Sequence, residues 1–87
     1  MHRYAVEIMP SARKELEALP DIVLQRAAGK IDSLGASPRP SGCKKLKGYK
    51  DQWRIRVGDW RVVYIIDDTA KMVRVTRIAH RGDVYES

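Results

Sequence analysis

Apolar and polar residues alternate along residues 3–9, which places Tyr4, Val6 and Ile8 on one face of a predicted strand. Pro10-Ser11 breaks the alternation, and Ala12, Leu16 and Leu19 follow at helical spacing, with Ser11 the expected N-cap. Pro20 and Asp21 close this helix and open a second one, whose apolar stripe is Val23, Ala27, Ile31 and Leu34 and which Gly35 is placed to stop. The short Leu19–Asp21 connection predicts an antiparallel helical hairpin. Residues 35–42, rich in Gly, Pro and Ser, read as a loop.

From Cys43 onward the period becomes two. A short strand is expected around Leu46. Trp53, Ile55 and Val57 then alternate with Arg54 and Arg56, and Gly58-Asp59 fits a two-residue type II′ hairpin turn with glycine first. Trp60 to Ile66 is the return strand, Asp67 to Ala70 turns again, and Met72 to Ala79 is the last strand. This order predicts an α+β fold: an N-terminal strand and an antiparallel two-helix hairpin on one face of a mostly antiparallel sheet of roughly four to five strands. Residues 1–87 are expected to form a single domain.

The pattern fixes where side chains point. Trp53, Ile55 and Val57 are the apolar set and face the helices, so Arg54 and Arg56 face away. Arg77 and Arg81 share parity and lie on one face if no bulge separates them. The open face of the sheet is therefore expected to carry a cluster of guanidinium groups, with His80 pointing away from Arg81 as a partly buried structural residue.

Composition narrows the function. The longest apolar run, Val62 to Ile66, is far short of the roughly 20 residues that span a bilayer, and Glu7, Arg13, Lys14 and Glu15 interrupt any apolar leader near Met1. The lone Cys43 excludes an internal disulfide and a cysteine-based metal site. A cytoplasmic protein without a membrane partner is expected. His2 and His80 lie far apart with no acidic ligand at metal spacing, and neither a glycine-rich phosphate loop nor a serine elbow is present. The net charge is +6, from 17 Lys and Arg against 11 Asp and Glu. Residues 1–43 carry six basic and five acidic side chains, residues 44–87 eleven and six, so nearly all the excess lies in the second half. Such a concentrated excess is the footprint of a polyanion binder.

The chemistry left open is phosphodiester work. Arginine forks hold phosphate oxygens bidentately and stay charged, and RNA supplies its own nucleophile in the 2′-hydroxyl. Tyr85 and His80 are the nearby groups able to move protons. Spacing alone supports only a binding face, and a solvated strand face is the ordinary fate of such alternation.

The stretches Lys45-Leu46-Lys47-Gly48, Trp53 to Tyr64 (WRIRVGDWRVVY) and Ile78 to Tyr85 (IAHRGDVY) resemble the RelE/ParE toxin superfamily, as do Tyr4 to Ile8 and Ala12 to Leu16. The resemblance implies a type II toxin of the RelE kind: a metal-independent endoribonuclease that needs no cofactor, cuts mRNA in the ribosomal A site and inhibits translation. It implies a cognate RelB-like antitoxin, with the toxin monomeric alone and heteromeric with its antitoxin, and the ribosome and mRNA as targets. By position, Arg54 and Arg56 match the two basic residues of the central strand, Arg61 the phosphate-stabilising arginine after the turn, Arg81 the arginine ending the last strand, and Tyr85 the C-terminal tyrosine. RNA contacts are expected from Lys44, Lys45, Lys47, Lys50 and Arg77. Well-studied members carry lysines on the central strand; arginine scarcely deprotonates, so Arg54 and Arg56 can hold phosphate but make poor bases. The alternatives are a ParE-type inhibitor that binds DNA gyrase without chemistry, and a plain RNA-binding module.

Overall fold

The computed structural model describes residues 3–46 and 51–83. Its elements run in the order β1 (Ala5–Ile8), α1 (Pro10–Glu17), α2 (Asp21–Ser33), β2 (Lys44–Lys45), β3 (Gln52–Val57), β4 (Trp60–Asp67) and β5 (Met72–His80), followed by a 3₁₀ turn over Arg81–Asp83. They form one five-stranded sheet ordered β1-β5-β4-β3-β2. β1 pairs parallel to β5 and the other neighbours pair antiparallel. The expected α+β layout holds: two helices on one face of a mixed, mostly antiparallel sheet.

The helix start differs by two residues from the sequence expectation. Met9, not Ser11, is the N-cap of α1, and Pro10 occupies the first turn. Proline lacks the N–H that would be orphaned there, and its fixed φ suits helix entry, so it outcompetes a hydroxyl cap one residue later. Asp21 stands in the first turn of α2 as expected, with Pro20 as N-cap. Gly35 follows the helix for a steric reason: a Cβ there would meet the Tyr4 carbonyl oxygen at 3.0 Å. That carbonyl region matters because the Tyr4 N–H donates to Gly35 O at 2.8 Å, fastening the loop after α2 to the start of β1.

The core lies between the helices and the sheet. Ala12 and Leu16 of α1, Ala27 and Ile31 of α2, and Leu34 pack onto Ile55, Val57, Val62, Tyr64, Ile66, Val73, Val75 and Ile78. The apolar set of β3 faces the helices, as its alternation requires. Val57 pairs with Trp60 across the two-residue turn, where Gly58 has φ of +60° and Asp59 does not, the type II′ signature. Tyr64 is fully buried, and its hydroxyl donates to Pro38 O at 2.8 Å, anchoring the 35–42 loop. Burial of that ring pushes its phenol well above the usual tyrosine range, and the neighbouring Cys43 adds to the effect.

One irregularity re-aims a side chain. Val63 pairs with Arg77 but Tyr64 pairs with Val75, so Thr76 is an extra residue in β5. Val73 and Val75 face the core, and strict alternation would send Arg77 there too. The bulge shifts the register by one, placing Ile78 in the core and Arg77 on the opposite face. Because the bulge precedes Arg77, it does not separate Arg77 from the residues that follow.

Candidate functional site

The face of the sheet away from the helices is built from two adjacent cross-strand rows. Lys44, Arg54, Val63 and Arg77 form one, running from β2 to β5. Arg56, Arg61 and Ala79 form the next. Residues opposite one another in such rows have Cα atoms about 4.5–5.5 Å apart, so Lys44–Arg54 and Arg56–Arg61 are two neighbouring pairs of like charge. The strand then leaves the sheet beside the β3–β4 turn: the Arg81 N–H donates to Asp59 O at 2.8 Å, and the Arg81 guanidinium stands 4.0 Å from the Asp59 carboxylate, both side chains well exposed.

This face is not the fully open guanidinium cluster expected from alternation. Arg54 and Arg61 are only 4% exposed, whereas Arg56, Arg77 and Arg81 are exposed. A second small apolar cluster of Leu46, Val63 and Ala79 shares the face, and the two buried arginines sit among these rows rather than on a solvated surface. Arg54 Nη1 donates to Gly42 O at 3.2 Å. Arg61 Nη1 donates to Gly58 O at 3.3 Å and to Trp60 O at 3.2 Å, so the hairpin turn grips its guanidinium. A buried charge is costly unless its donors are satisfied, and these carbonyls meet part of that requirement. The result is a pair of buried positive charges, Arg54 and Arg61, beside three exposed ones, Arg56, Arg77 and Arg81.

The other expected site residues divide. Lys44 shares the face with Arg54 and is exposed. Lys45 pairs with Trp53 and so belongs to the opposite face, because side chains alternate along a two-residue strand. Lys47, Lys50 and Tyr85 lie outside the described residues. His80 faces away from the arginines, as parity predicts, yet it is exposed and not partly buried: its ring meets Trp60 edge-on, centroids 5.5 Å apart. Among the described residues no group of three or more His, Cys, Asp and Glu is placed to hold a metal ion, and no helix is long and apolar enough to cross a membrane.

Two groupings escaped sequence reasoning because both join distant parts of the chain. Asp68 in the β4–β5 turn accepts from Tyr4 Oη and from both Arg39 nitrogens, Nη1 at 3.3 Å and Nη2 at 2.9 Å. The Arg39 fork, helped by Tyr4, holds the Asp68 carboxyl down at about 2, below the usual carboxylate range. The Arg39 guanidinium also lies over the Trp53 ring, 5.1 Å from its centroid, so this cluster ties the long loop to β1, β3 and the β4–β5 turn. The second grouping is Glu15 of α1, whose Oε1 accepts the Ile78 N–H at 2.8 Å, with the Trp60–His80 pair beside it.

Comparison with known proteins gives this arrangement a family. Residues 6–85 match the family described as ParE toxin of type II toxin-antitoxin system, parDE. Toxin RelG of Mycobacterium tuberculosis is 29% identical over 83 residues, which cover 94% of this chain and 95% of that protein. A chain in the crystal structure of the archaeal RelE-RelB complex from Pyrococcus horikoshii OT3 is 30% identical, with a TM-score of 0.81, covering 93% of this chain and 98% of that one. The isolated E. coli RelE toxin is 26% identical with a TM-score of 0.77, covering 88% of this chain and 83% of its own. The family match spans nearly the whole chain, and the strands that carry the basic rows lie within it; the chain belongs to the RelE/ParE superfamily of type II toxin–antitoxin toxins.

Proposed function

We propose that this toxin is a ribosome-dependent mRNA endonuclease that cuts in the A site and thereby inhibits translation, with the arginine face as its phosphate-holding surface. The observation that carries this reading is the adjacency of the Lys44–Arg54 and Arg56–Arg61 pairs, with two of the four side chains buried and gripped by backbone carbonyls. Four basic side chains held in register on one face of the sheet support a polyanion as the ligand of that face.

The chemistry follows from RNA itself. The 2′-oxygen attacks the adjacent phosphorus, the P–O5′ bond breaks, and a 2′,3′-cyclic phosphate and a free 5′-hydroxyl result. A proton leaves the 2′-hydroxyl and one is delivered to the 5′-oxygen. Arg61 and Arg81 suit the stabilisation of charge on the phosphoryl oxygens, since their own charge is permanent and the Arg61 fork is held in place. Arg54 and Arg56 position phosphate and do not serve as bases. Tyr85 carries the proton-transfer role. The ribosome supplies the in-line orientation that a small open face lacks.

The partners in this reading are the ribosome, mRNA and a cognate RelB-like antitoxin. Similar toxins were solved as RelE-RelB complexes, which supports the last of these. The toxin is monomeric alone, cytoplasmic, and heteromeric with its antitoxin. The matching family's description, a ParE toxin, favours a second reading: inhibition of DNA gyrase without cleavage. Purified protein assayed side by side on programmed ribosomes, on naked RNA and on gyrase supercoiling separates the two. Cleavage on ribosomes with poor cutting of naked RNA supports the nuclease; gyrase inhibition without cleavage supports the alternative.

A further inference from the structure

Pairing between β1 and β5 ends at Ile8–Val75, so from Thr76 onward β5 is an outer strand flanked by α1. Between them lies a shallow groove of about 260 Å³ lined by Glu15, Ala18, Leu19, Trp60, Arg77 and His80. Its floor is apolar. Its end wall is a corner: the Trp60 and His80 rings meet at 88°. A flat heteroaromatic ring laid on one of these turns its edge to the face of the other. Arg77 and Glu15, residue types that can bond the polar edge of such a ring, border the groove as well, with Glu15 Oε1 also accepting the Ile78 N–H. An exposed imidazole standing on an indole contributes little to the core, but it makes a stacking surface.

The position decides what the ring belongs to. Trp60 and His80 are cross-strand partners, and each immediately precedes an arginine assigned to the phosphate, Arg61 and Arg81. The corner and the arginine face are therefore back to back at one end of the sheet. Arg77 lies on the arginine face after the Thr76 bulge and is also one of the residues bordering the groove. We infer that the Trp60–His80 corner receives a nucleobase of single-stranded RNA, next to the phosphate held on the arginine face, and contributes to base preference. This rests on the reading of that face as RNA-binding. Stacking on aromatic side chains is how single-stranded RNA is gripped without a duplex.

The test uses Trp53→Phe protein, in which Trp60 is the only indole left of the two. It is titrated at low ionic strength with a labelled 2′-O-methyl pentanucleotide, which cannot be cut, while indole fluorescence and oligonucleotide anisotropy are read together. A pentamer of abasic sugar-phosphates serves as the comparison. The expected result is indole quenching that tracks the anisotropy with the base-bearing oligomer only, and binding weakened about fivefold to tenfold by His80→Ala, at the lower end of the effect of removing one stacking ring. Anisotropy that rises without quenching, with unchanged affinity in His80→Ala, overturns the inference and leaves the arginine face intact as the RNA site. No binding of either oligomer removes the RNA-binding reading and the inference with it.

Discussion

Arg56 on β3 and Arg61 on β4 stand directly opposite each other on the same face of the sheet, one exposed and the other 4% exposed. A cross-strand pair of like charge costs a sheet some tenths of a kcal/mol up to about 1, and the next row repeats the arrangement with Lys44 and Arg54. Arg61 donates to the carbonyls of Gly58 and Trp60 and Arg54 to that of Gly42, which offsets part of the cost. The same bonds keep the charges where a phosphate would meet them.

Relief of that repulsion is measurable. Arg56→Thr keeps a strand-favouring residue and removes one of the two charges. It is expected to raise stability by a few tenths of a kcal/mol, up to about 1, in urea unfolding. The same variant is expected to flatten the slope of log RNA affinity against log salt by about one phosphate contact. Unchanged stability together with an unchanged slope would place the polyanion surface elsewhere.

Cleavage is expected to separate the groups by role. Arg61→Ala and Arg81→Ala each slow single-turnover cleavage on programmed ribosomes, at saturating toxin, by about a hundredfold or more, the scale of losing a transition-state donor. Tyr85→Phe is expected to be comparably damaging. His80→Gln is expected to be mild under the same conditions, since its ring faces away from the arginines. Abolished cleavage in His80→Gln with full activity in Tyr85→Phe would make the histidine the proton carrier.

Stability is expected to fall at both ends of the pH range. The Arg39 fork and the Tyr4 hydroxyl lower the Asp68 carboxyl from 3.8 to about 2, so the unfolded chain binds its proton first as pH falls. The stability Asp68 contributes is thus present above pH 4 and lost between about 4 and 2. In Asp68→Asn this step is expected to flatten, and because the Arg39–Asp68 pair is roughly half exposed the change is modest. At the alkaline end Tyr64 is held above the ordinary tyrosine value by burial, so above pH 10 the unfolded chain loses the proton first and stability declines. Urea midpoints across both limbs read these effects, and Tyr64→Phe is expected to shallow the alkaline decline.

Gly35 offers a purely steric test. Its added Cβ would press on the Tyr4 carbonyl oxygen at 3.0 Å, and that backbone is held by the Tyr4 N–H to Gly35 O bond. Gly35→Ala is expected to lower the unfolding free energy by about 1–3 kcal/mol. Gly29→Ala meets nothing within 4 Å and sits inside α2, so it is expected to be neutral or stabilising by up to about 1 kcal/mol.

Much of the fold was legible in the chain because it rests on local pattern. The β3 alternation, the Gly58-Asp59 turn and the helical stripe ending at Leu34 each declared their element and their buried face. The parallel pairing of β1 with β5 was not legible, since it joins Ala5 to Met72 across most of the chain. The candidate site was legible in membership and less so in environment. Alternation put Arg54 and Arg56 on one face, but it could not show that Arg54 and Arg61 are buried, because that depends on where Gly42, Gly58 and Leu46 come to rest. The Thr76 bulge, the Arg39–Asp68–Tyr4 cluster and the Trp60–His80 corner all depend on contacts between residues distant in sequence, for which no local period exists.

The central claim is that the basic face cuts mRNA on the ribosome, and it is tested most directly by mapping the 5′ ends of cellular mRNAs after brief expression of the toxin. The account predicts new 5′ ends inside translated codons, absent from untranslated regions and absent when Arg61→Ala is expressed at the same level. DNA-damage signalling without new ends would contradict it in favour of gyrase inhibition, and unimpaired growth under strong expression of the toxin alone would contradict it outright.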